Sequence, residues 1–596
     1  MYIKKERNLI HMAFDGIVTK SIVTELNNIV GGKIDKIFEP NKNTLLLGIY
    51  KNGLNYMLLS CITANNCRIH LTTHQQKNPF VAPNFCMLLR KHLLGLKIKK
   101  IYTKDLERIV FIDLENNENP TKPIRKKLII ELMGKHSNII LTDENLIIID
   151  SMRHTSIEEH SNRDIYPTSK YTFPTSSKYS FLELKDFEDF YSIIESHLTD
   201  YLAVQIEDMD NINISNFNID KIIANTFNGI SSSFIKNLQK ELINEPLSKK
   251  ALHCLFNKIN DIILSNNLDI EFSNNKKDYY LTKSLKPNNN PFYINYILDD
   301  FYFQKETSEL FKNYRNSMLN LILGLLKKYE KRLFNIDNKL LECQNMDTFR
   351  LYGELITSNL YKIPNYNIES IKLENYYDNN KEIEIPLDKK YLPSYNAKKY
   401  FKKYSKLKNA LQVVNAQKKE TIEDINYIES VIYEIESATS ILDIDEIYDE
   451  ISQNSIFEPI LKNKKTKKNK TNKKKQLTTN KLTNFNPLKF VIDEYTILVG
   501  RNNKENDYLT CKFAKKNDIW FHTKDIHGSH VILKVDENKI IPEEILYEAA
   551  KLAAKHSKAK NSSHVPVDYC KVAFVKKPSG SKPGFVIYSN NKTLYV

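Results

Sequence analysis

The sequence predicts a multidomain α+β protein: an N-terminal α+β domain, a helix-hairpin-helix region, a long antiparallel coiled coil with a small tip module, and a compact α+β C-terminal domain. Three observations carry this expectation. Two long stretches space their apolar residues alternately by three and four, the 3.5-residue period of a coiled-coil seam. Short apolar or alternating runs bounded by turn residues occur toward both ends, as strands do. A block at 462–475 holds nine lysines and no acid, which separates the last unit from the rest. With 596 residues, and roughly 100–200 per domain, three to five domains are expected.

In order, residues 1–11 read as a basic extension. Residues 12–175 form the N-terminal domain, with strands expected at 44–50, 56–60, 109–114, 127–132 and 139–141 and a helix over 78–95. Residues 176–285 read as helical. There an apolar helix from Ile219, a tight turn at Asn228-Gly229-Ile230 and a second helix from Ser232 suit a helix-hairpin-helix, whose turn can offer N–H groups to phosphate. A generic helical hairpin has the same pattern. The first coiled-coil helix covers 300–349, with its seam running from Leu319 through Ile322, Leu326 and Tyr329 to Cys343. The second covers 396–450, with its seam running from Tyr400 to Ile435 and broken at Lys418 and Thr421. Between them, 350–395 holds Pro386 and Pro393 and is expected to form the tip. Residues 451–485 are the lysine-rich linker, self-repelling and flexible. Residues 486–596 form the last domain, with strands expected at 495–499, 519–522, 530–533, 572–574 and 585–588 and a helix over 542–558.

The chain carries 87 Lys+Arg against 72 Asp+Glu, a net charge of +15, which favours polyanionic partners. Codon bias is a second source of lysine, so charge alone does not decide. Seven scattered cysteines without a C-x-x-C pair argue against a disulfide framework and a zinc knuckle. No apolar run approaches the roughly 18–20 residues of a membrane span, and the start lacks a signal peptide's apolar core. A cytoplasmic protein without membrane contact is expected.

The densest motif runs from Asp518 to His530. His522, Asp525, His527 and His530 are metal-ligand types, but they lack cysteine or EF-hand spacing, and no metal is expected. A surface that stacks bases and contacts phosphate is the better reading, with Trp520, His522, Lys524, His527, Gly528, Ser529 and His530 as candidates. The loop from Pro578 to Gly584, with Lys582, is of the phosphate-cradling kind. It does not match a P-loop, and no hydrolase or dinucleotide motif appears. Neither a cofactor nor enzymatic bond chemistry is expected.

Met12-Ala-Phe-Asp-Gly16, Gly31-Gly-Lys-Ile-Asp-Lys-Ile37, Asn84-Phe-Cys-Met-Leu-Leu-Arg-Lys-His92 and Glu131-Leu-Met-Gly-Lys-His-Ser-Asn-Ile139 share an order with further segments. These are Tyr352 to Tyr361, the heptads, Asp518 to His530 and Lys577 to Val596. Together they resemble the NFACT family, including its bacterial RqcH-type members, also labelled fibronectin-binding-like proteins. The resemblance implies an N-terminal fold similar to that of base-excision DNA glycosylases. Neither Tyr2 nor Ala13 is the proline that glycosylase chemistry uses, so that activity is disfavoured. Family members start near Met12.

The resemblance further implies a ribosome-quality-control factor. It would bind a large ribosomal subunit obstructed by peptidyl-tRNA and recruit tRNA, by analogy alanine tRNA, for untemplated alanine tailing. A small S4-type RNA-binding protein is a candidate partner. The tRNA-binding residues carried over are Asp15, Glu107 and Arg108, with Arg90, Lys135 and His136 from the quoted motifs. Glu107 stands where the family has Asp. The alternatives are a fibronectin-binding surface adhesin and a nucleic-acid-processing enzyme.

Overall fold

The computed structural model describes residues 14–116, 124–155, 163–203, 219–240, 249–265, 267–273, 278–284, 290–365, 368–462, 485–536 and 541–596. The expected extension at 1–11, Met12 and Ala13, and the lysine run from 463 onward lie outside the described residues. The chain divides into two compact units, Met1–Thr307 and Ser308–Val596.

In the first unit, α1 (Gly16–Leu26) precedes β1 (Lys33–Asn41), β2 (Thr44–Lys51), β3 (Leu54–Cys61) and β4 (Arg68–Leu71). Then come α2 (Asn84–Leu93), β5 (Lys97–Thr103), β6 (Ile109–Asn116), β7 (Ile124–Glu131), β8 (Asn138–Asp143) and β9 (Ile148–Ser151). The strands form one antiparallel sheet in the order β4-β3-β2-β1-β5-β6-β7-β8-β9, two meanders joined at β1 and β5. Strand β6 opens on four apolar residues, Ile109 to Ile112, because both its faces are buried there. Val110, Ile112 and Leu114 enter the main core, while Ile109 and Phe111 pack with Ile129, Ile140 and Tyr171 on the other side.

Strands β1 and β5 escape sequence patterning for a local reason. Each carries a register shift, at Ile34/Lys36 and Ile98/Lys100, and a bulge displaces the two-residue alternation by one. The helix expected from 78 starts at Asn84, with Pro83 as its N-cap. Proline pushes the residue before it out of helical geometry.

Helices α3 (Phe187–Ala203), α4 (Ile219–Thr226), α5 (Ser232–Lys240) and α6 (Lys249–Leu264) follow. Phe181, Phe190, Phe227 and Phe256 cluster between them and join the core of the sheet. The expectation of helix throughout this region fails at a hairpin, β10 (Leu268–Phe272) and β11 (Tyr279–Lys283). Leu268, Ile270, Tyr279 and Leu281 alternate inward there, a pattern only a strand can bury on one face. Next comes α7 (Tyr293–Gln344). Its first turns are fastened to β4 and the residues after it. Leu71 N–H donates to Asn295 (2.8 Å), Thr73 N–H to Asp299 (2.8 Å), and buried Arg68 pairs with Glu306 (2.7 Å). That contact also covers an edge strand.

In the second unit, α7 continues into α8 (Met346–Ser358), a hairpin of β12 (Ser370–Asn375) and β13 (Lys381–Pro386), and α9 (Pro393–Ser437). Helices α7 and α9 pack antiparallel. Met318, Ile322 and Leu325 meet Ile428, Val431 and Ile435, Asp337 pairs with Lys418 at 2.8 Å, and Phe349 of α8 stacks on Tyr400. The break in the seam is thereby satisfied: Lys418 reaches an acid across the pair, and buried Thr421 donates to the Gln417 carbonyl at 2.7 Å. Pro393 opens α9, the one helical position where its missing N–H is harmless.

Helix α9 stops at Ser437, and α10 (Ile441–Ile451) begins with a capping box between Ser440 and Asp443. With α11 (Glu458–Lys462), helix reaches Lys462, past the expected start of the linker at 451, and Ile456 and Phe457 are buried.

The final sheet has the order β14-β15-β17-β16-β18-β21. Its strands are β14 (Leu488–Ile492), β15 (Tyr495–Val499), β16 (Ile519–Thr523), β17 (Val531–Leu533), β18 (Pro566–Lys571) and β21 (Lys592–Tyr595), and a small pair, β19 (Val575–Lys576) and β20 (Ile587–Tyr588), lies between the last two in sequence. The strand expected at 572–574 is a 3-10 turn, Val572–Phe574; the strand is the segment before it. Helix α12 (Asn503–Tyr508) follows β15, and α13 (Glu543–Lys555) lays Ala549, Ala550 and Ala553 on one sheet face. Trp520, Leu498 and Ile532 fill the other.

Candidate nucleic-acid interface

In the first unit the structure brings together three segments far apart in sequence: the start of α1, the turn between β5 and β6, and the turn between α4 and α5. Asp15 caps α1, accepting from Val18 N–H at 3.0 Å. Its other oxygen accepts from the Ser231 hydroxyl at 2.7 Å. Ser231 in turn accepts from Phe234 N–H at 3.3 Å, at the start of α5. Two helix N-termini therefore converge on one carboxylate, and both present partial positive charge to it.

Glycines allow this approach. Gly16 N–H donates to the Gly229 carbonyl at 2.8 Å. A β-carbon would sit 1.9 Å from the Leu106 carbonyl oxygen at Gly16 and 2.1 Å from it at Gly229, which also has φ +74°. The 104–108 turn that supplies Leu106 holds Asp105 at φ 52°. A non-glycine residue there is stored strain, of a kind that clusters at functional sites.

Glu107 and Arg108 leave this turn half-buried, in one electrostatic neighbourhood with Asp15, Lys104 and Lys178. Burial raises the Asp15 pKa, opposed by the Val18 and Ser231 hydrogen bonds and the Arg108 charge. Burial also raises that of Glu107, opposed first by Arg108. Asp15 is 6% exposed, and its bonds tie the start of α1 to the residue that precedes α5. Lys178 donates to the Ala224 carbonyl at 2.6 Å, across from the hairpin turn. The turn's own Asn228 N–H goes to the Tyr179 carbonyl at 2.9 Å, so that group is not offered to phosphate.

Gly229, Ser231 and Lys178 were not singled out as site residues. The tight turn was visible in the sequence, but its meeting with Asp15 is tertiary and left no local signal. Arg90 is placed otherwise: its guanidinium donates twice to the Ile37 carbonyl on β1, at 2.9 and 2.8 Å. It clamps α2 to the sheet. Lys135 and His136 lie exposed on the turn Gly134–His136 between β7 and β8, braced by Arg153 donating to the Lys135 and Ser137 carbonyls.

Several of the C-terminal candidates are buried. Trp520 is 0% exposed and fills the core, so it cannot stack on an RNA base. The expected aromatic–His–Lys surface therefore loses its ring: on β16 Trp520 packs inward with Leu498 and Ile532. His530 is buried and bonded to Thr510 at 2.7 Å. Burial pushes His530 down to about 3 and half-buried His522 down to about 4, so both are neutral. Ser529 is buried, and Gly528 bridges to Ser557.

His527 faces Glu429 of α9 at 3.0 Å, and Lys582 faces Asp424 at 3.1 Å. Lys524 is exposed. The expected phosphate cradle at 578–584 is partly spent internally, with Gly584 N–H donating to Asp507 at 3.0 Å. Among the described residues, no group of three or more His, Cys, Asp or Glu is arranged to hold a metal ion. None of the described helices is long and apolar enough to cross a membrane.

The family described as NFACT N-terminal and middle domains matches residues 15–475, and the NFACT protein RNA binding domain matches residues 484–589. The chain is 36% identical to the Rqc2 homolog RqcH of Bacillus subtilis (strain 168), over 98% of each chain. It is 33% identical to that of Streptococcus suis (strain 05ZYH33), again over 98% of each. A solved structure, the fibrinogen binding protein from Staphylococcus aureus, aligns at a TM-score of 0.39 and 26% identity, over 49% of this chain and 99% of that one.

Proposed function

Because this chain belongs to the NFACT family, we propose that it acts in ribosome quality control, on large subunits obstructed by peptidyl-tRNA. It recruits tRNA there and supports untemplated C-terminal alanine tailing of the stalled chain. The matched RNA-binding domain and the net charge of +15 support RNA as the partner. On this reading alanine tRNA is the substrate carried, an S4-type RNA-binding protein is a candidate helper, and the ribosome makes the peptide bonds. The N-terminal sheet and helices serve as a glycosylase-like frame that grips tRNA without glycosylase chemistry.

The observation that carries the reading is the Asp15–Ser231–Gly229–Leu106 junction. It rigidly presents Arg108 beside Glu107 and Lys178. A half-buried guanidinium on a rigid turn suits a phosphate or base contact, because little freedom is left to lose on binding. Asp15 and Glu107 act as positioning residues. Arg108→Ala tests this: the melting temperature should stay near wild type while tRNA retention and tailing fall. Wild-type retention and tailing by a folded Arg108→Ala protein would remove Arg108 from the tRNA site.

A further inference from the structure

Midway along the helical arm, α7 and α9 enclose an open groove of about 470 Å³. Lys328, Lys331, Arg332 and Lys339 of α7 line it, and buried Ile336 and Val414 form its floor. From Lys328 to Lys339 the cations follow one stripe of the helix, about 16 Å long at 1.5 Å per residue. Among the described residues, no acid lies within ion-pair distance of Lys328, Lys331 or Arg332. Lys339 reaches Glu342, and the nearby Asp337 is already neutralised by Lys418.

We propose that this groove is a binding site for the phosphodiester backbone of an RNA strand. The site rests on the reading of the chain as a ribosome-binding factor and adds to it a contact in the middle of the arm. Lys328, Lys331 and Arg332, with no acid at ion-pair distance among the described residues, concentrate positive potential over a low-dielectric floor and attract a polyanion. Asn335 and Gln417 complete the wall, and amides both donate to and accept from ribose hydroxyls. The lining offers no exposed aromatic or aliphatic anchor, which a protein partner would need. Side chains alternating along one helical stripe follow a linear charge array better than a compact anion.

The test uses the full-length chain, wild type and two triple variants that remove equal charge. Lys328→Gln/Lys331→Gln/Lys339→Gln removes three of the four groove cations and leaves Arg332. Lys402→Gln/Lys406→Gln/Lys419→Gln removes exposed lysines that do not line it. Binding to a short RNA duplex is followed across a salt series, and sedimentation with purified large subunits is measured in parallel. The groove variant should lower RNA affinity and reduce the slope of log K against log salt by about two to three, near one per lost phosphate contact. The control variant should leave the slope close to wild type.

Equal effects of both variants, no effect of the groove variant, or no binding of the duplex by wild type would overturn the site. So would polyglutamate displacing the RNA from wild type but not from the groove variant, which would point to an acidic protein as the occupant. Absence of wild-type sedimentation with large subunits would instead refute the underlying ribosomal reading, whatever the duplex shows.

Discussion

At the scale of single residues, Asp15 is a buried carboxylate held by a cap and a hydroxyl. Asp15→Ala removes both bonds, taking the acceptor from the Val18 N–H and from the Ser231 hydroxyl. It should lower stability by about 1–3 kcal/mol in chemical denaturation and reduce tRNA retention in step. Glu107→Asp should retain tRNA as wild type does, because the charge beside Arg108 persists; a loss of retention would mean that side-chain reach matters there.

His522 and His530 set a pH dependence. Their folded pKa values, about 4 and about 3, lie below that of the unfolded chain. Their contribution is therefore complete above about pH 6.5 and is lost as pH falls toward those values, each by up to about 1.4 kcal/mol per pH unit. The melting temperature of the C-terminal domain should fall between neutrality and about pH 5 on this basis, and His530→Gln should flatten the fall. An equally steep fall in that variant would place the dependence elsewhere.

At the scale of elements, Gly229 decides whether the hairpin turn can dock. Gly229→Ala should destabilise by more than about 1 kcal/mol, because positive-φ strain adds to a backbone collision. Gly53, at φ +82° with open space around it, supplies the control: Gly53→Ala carries the conformational strain alone and should shift the denaturation midpoint less. In the arm, Thr421→Val should leave stability unchanged or raise it by up to about 1 kcal/mol, since the buried hydroxyl bonds only within its own helix. A clear loss would mean that the polar break fixes the register of the pair.

These elements also show how far sequence reading reaches. The heptads were legible because period 3.5 is written into the residues of each helix. So were β2, β3, β6 and β8, which are apolar or cleanly alternating. Strands β1 and β5 were hidden by bulges, and the hairpin of β10 and β11 by its brevity. Asp15, Glu107 and Arg108 were singled out only through family resemblance, and the structure places them in one neighbourhood. Ser231 and Lys178 reach it by folding, and Trp520 was expected at the surface because a tryptophan near histidines and a lysine suits base stacking, whereas both faces of its strand are packed.

At the scale of the whole molecule, the net charge of +15 is distributed unevenly in its availability. Within the second unit, Asp424 and Glu429 of α9 occupy Lys582 and His527, while Lys328, Lys331 and Arg332 on the same arm meet no acid among the described residues. RNA contact then depends on which cations are free as well as on how many there are. Arg108 belongs to the first unit and the arm groove to the second, so the two can be removed separately. Loss of Arg108 should affect tRNA, and loss of the groove should affect RNA binding by the arm.

The most direct test of the central claim is to purify the full-length chain from cells and sequence the RNA that accompanies it. Large-subunit ribosomal RNA with one strongly enriched tRNA is the expected result, and Arg108→Ala should keep the ribosomal RNA while losing the tRNA. Recovery of the chain without ribosomal RNA or tRNA would contradict the account.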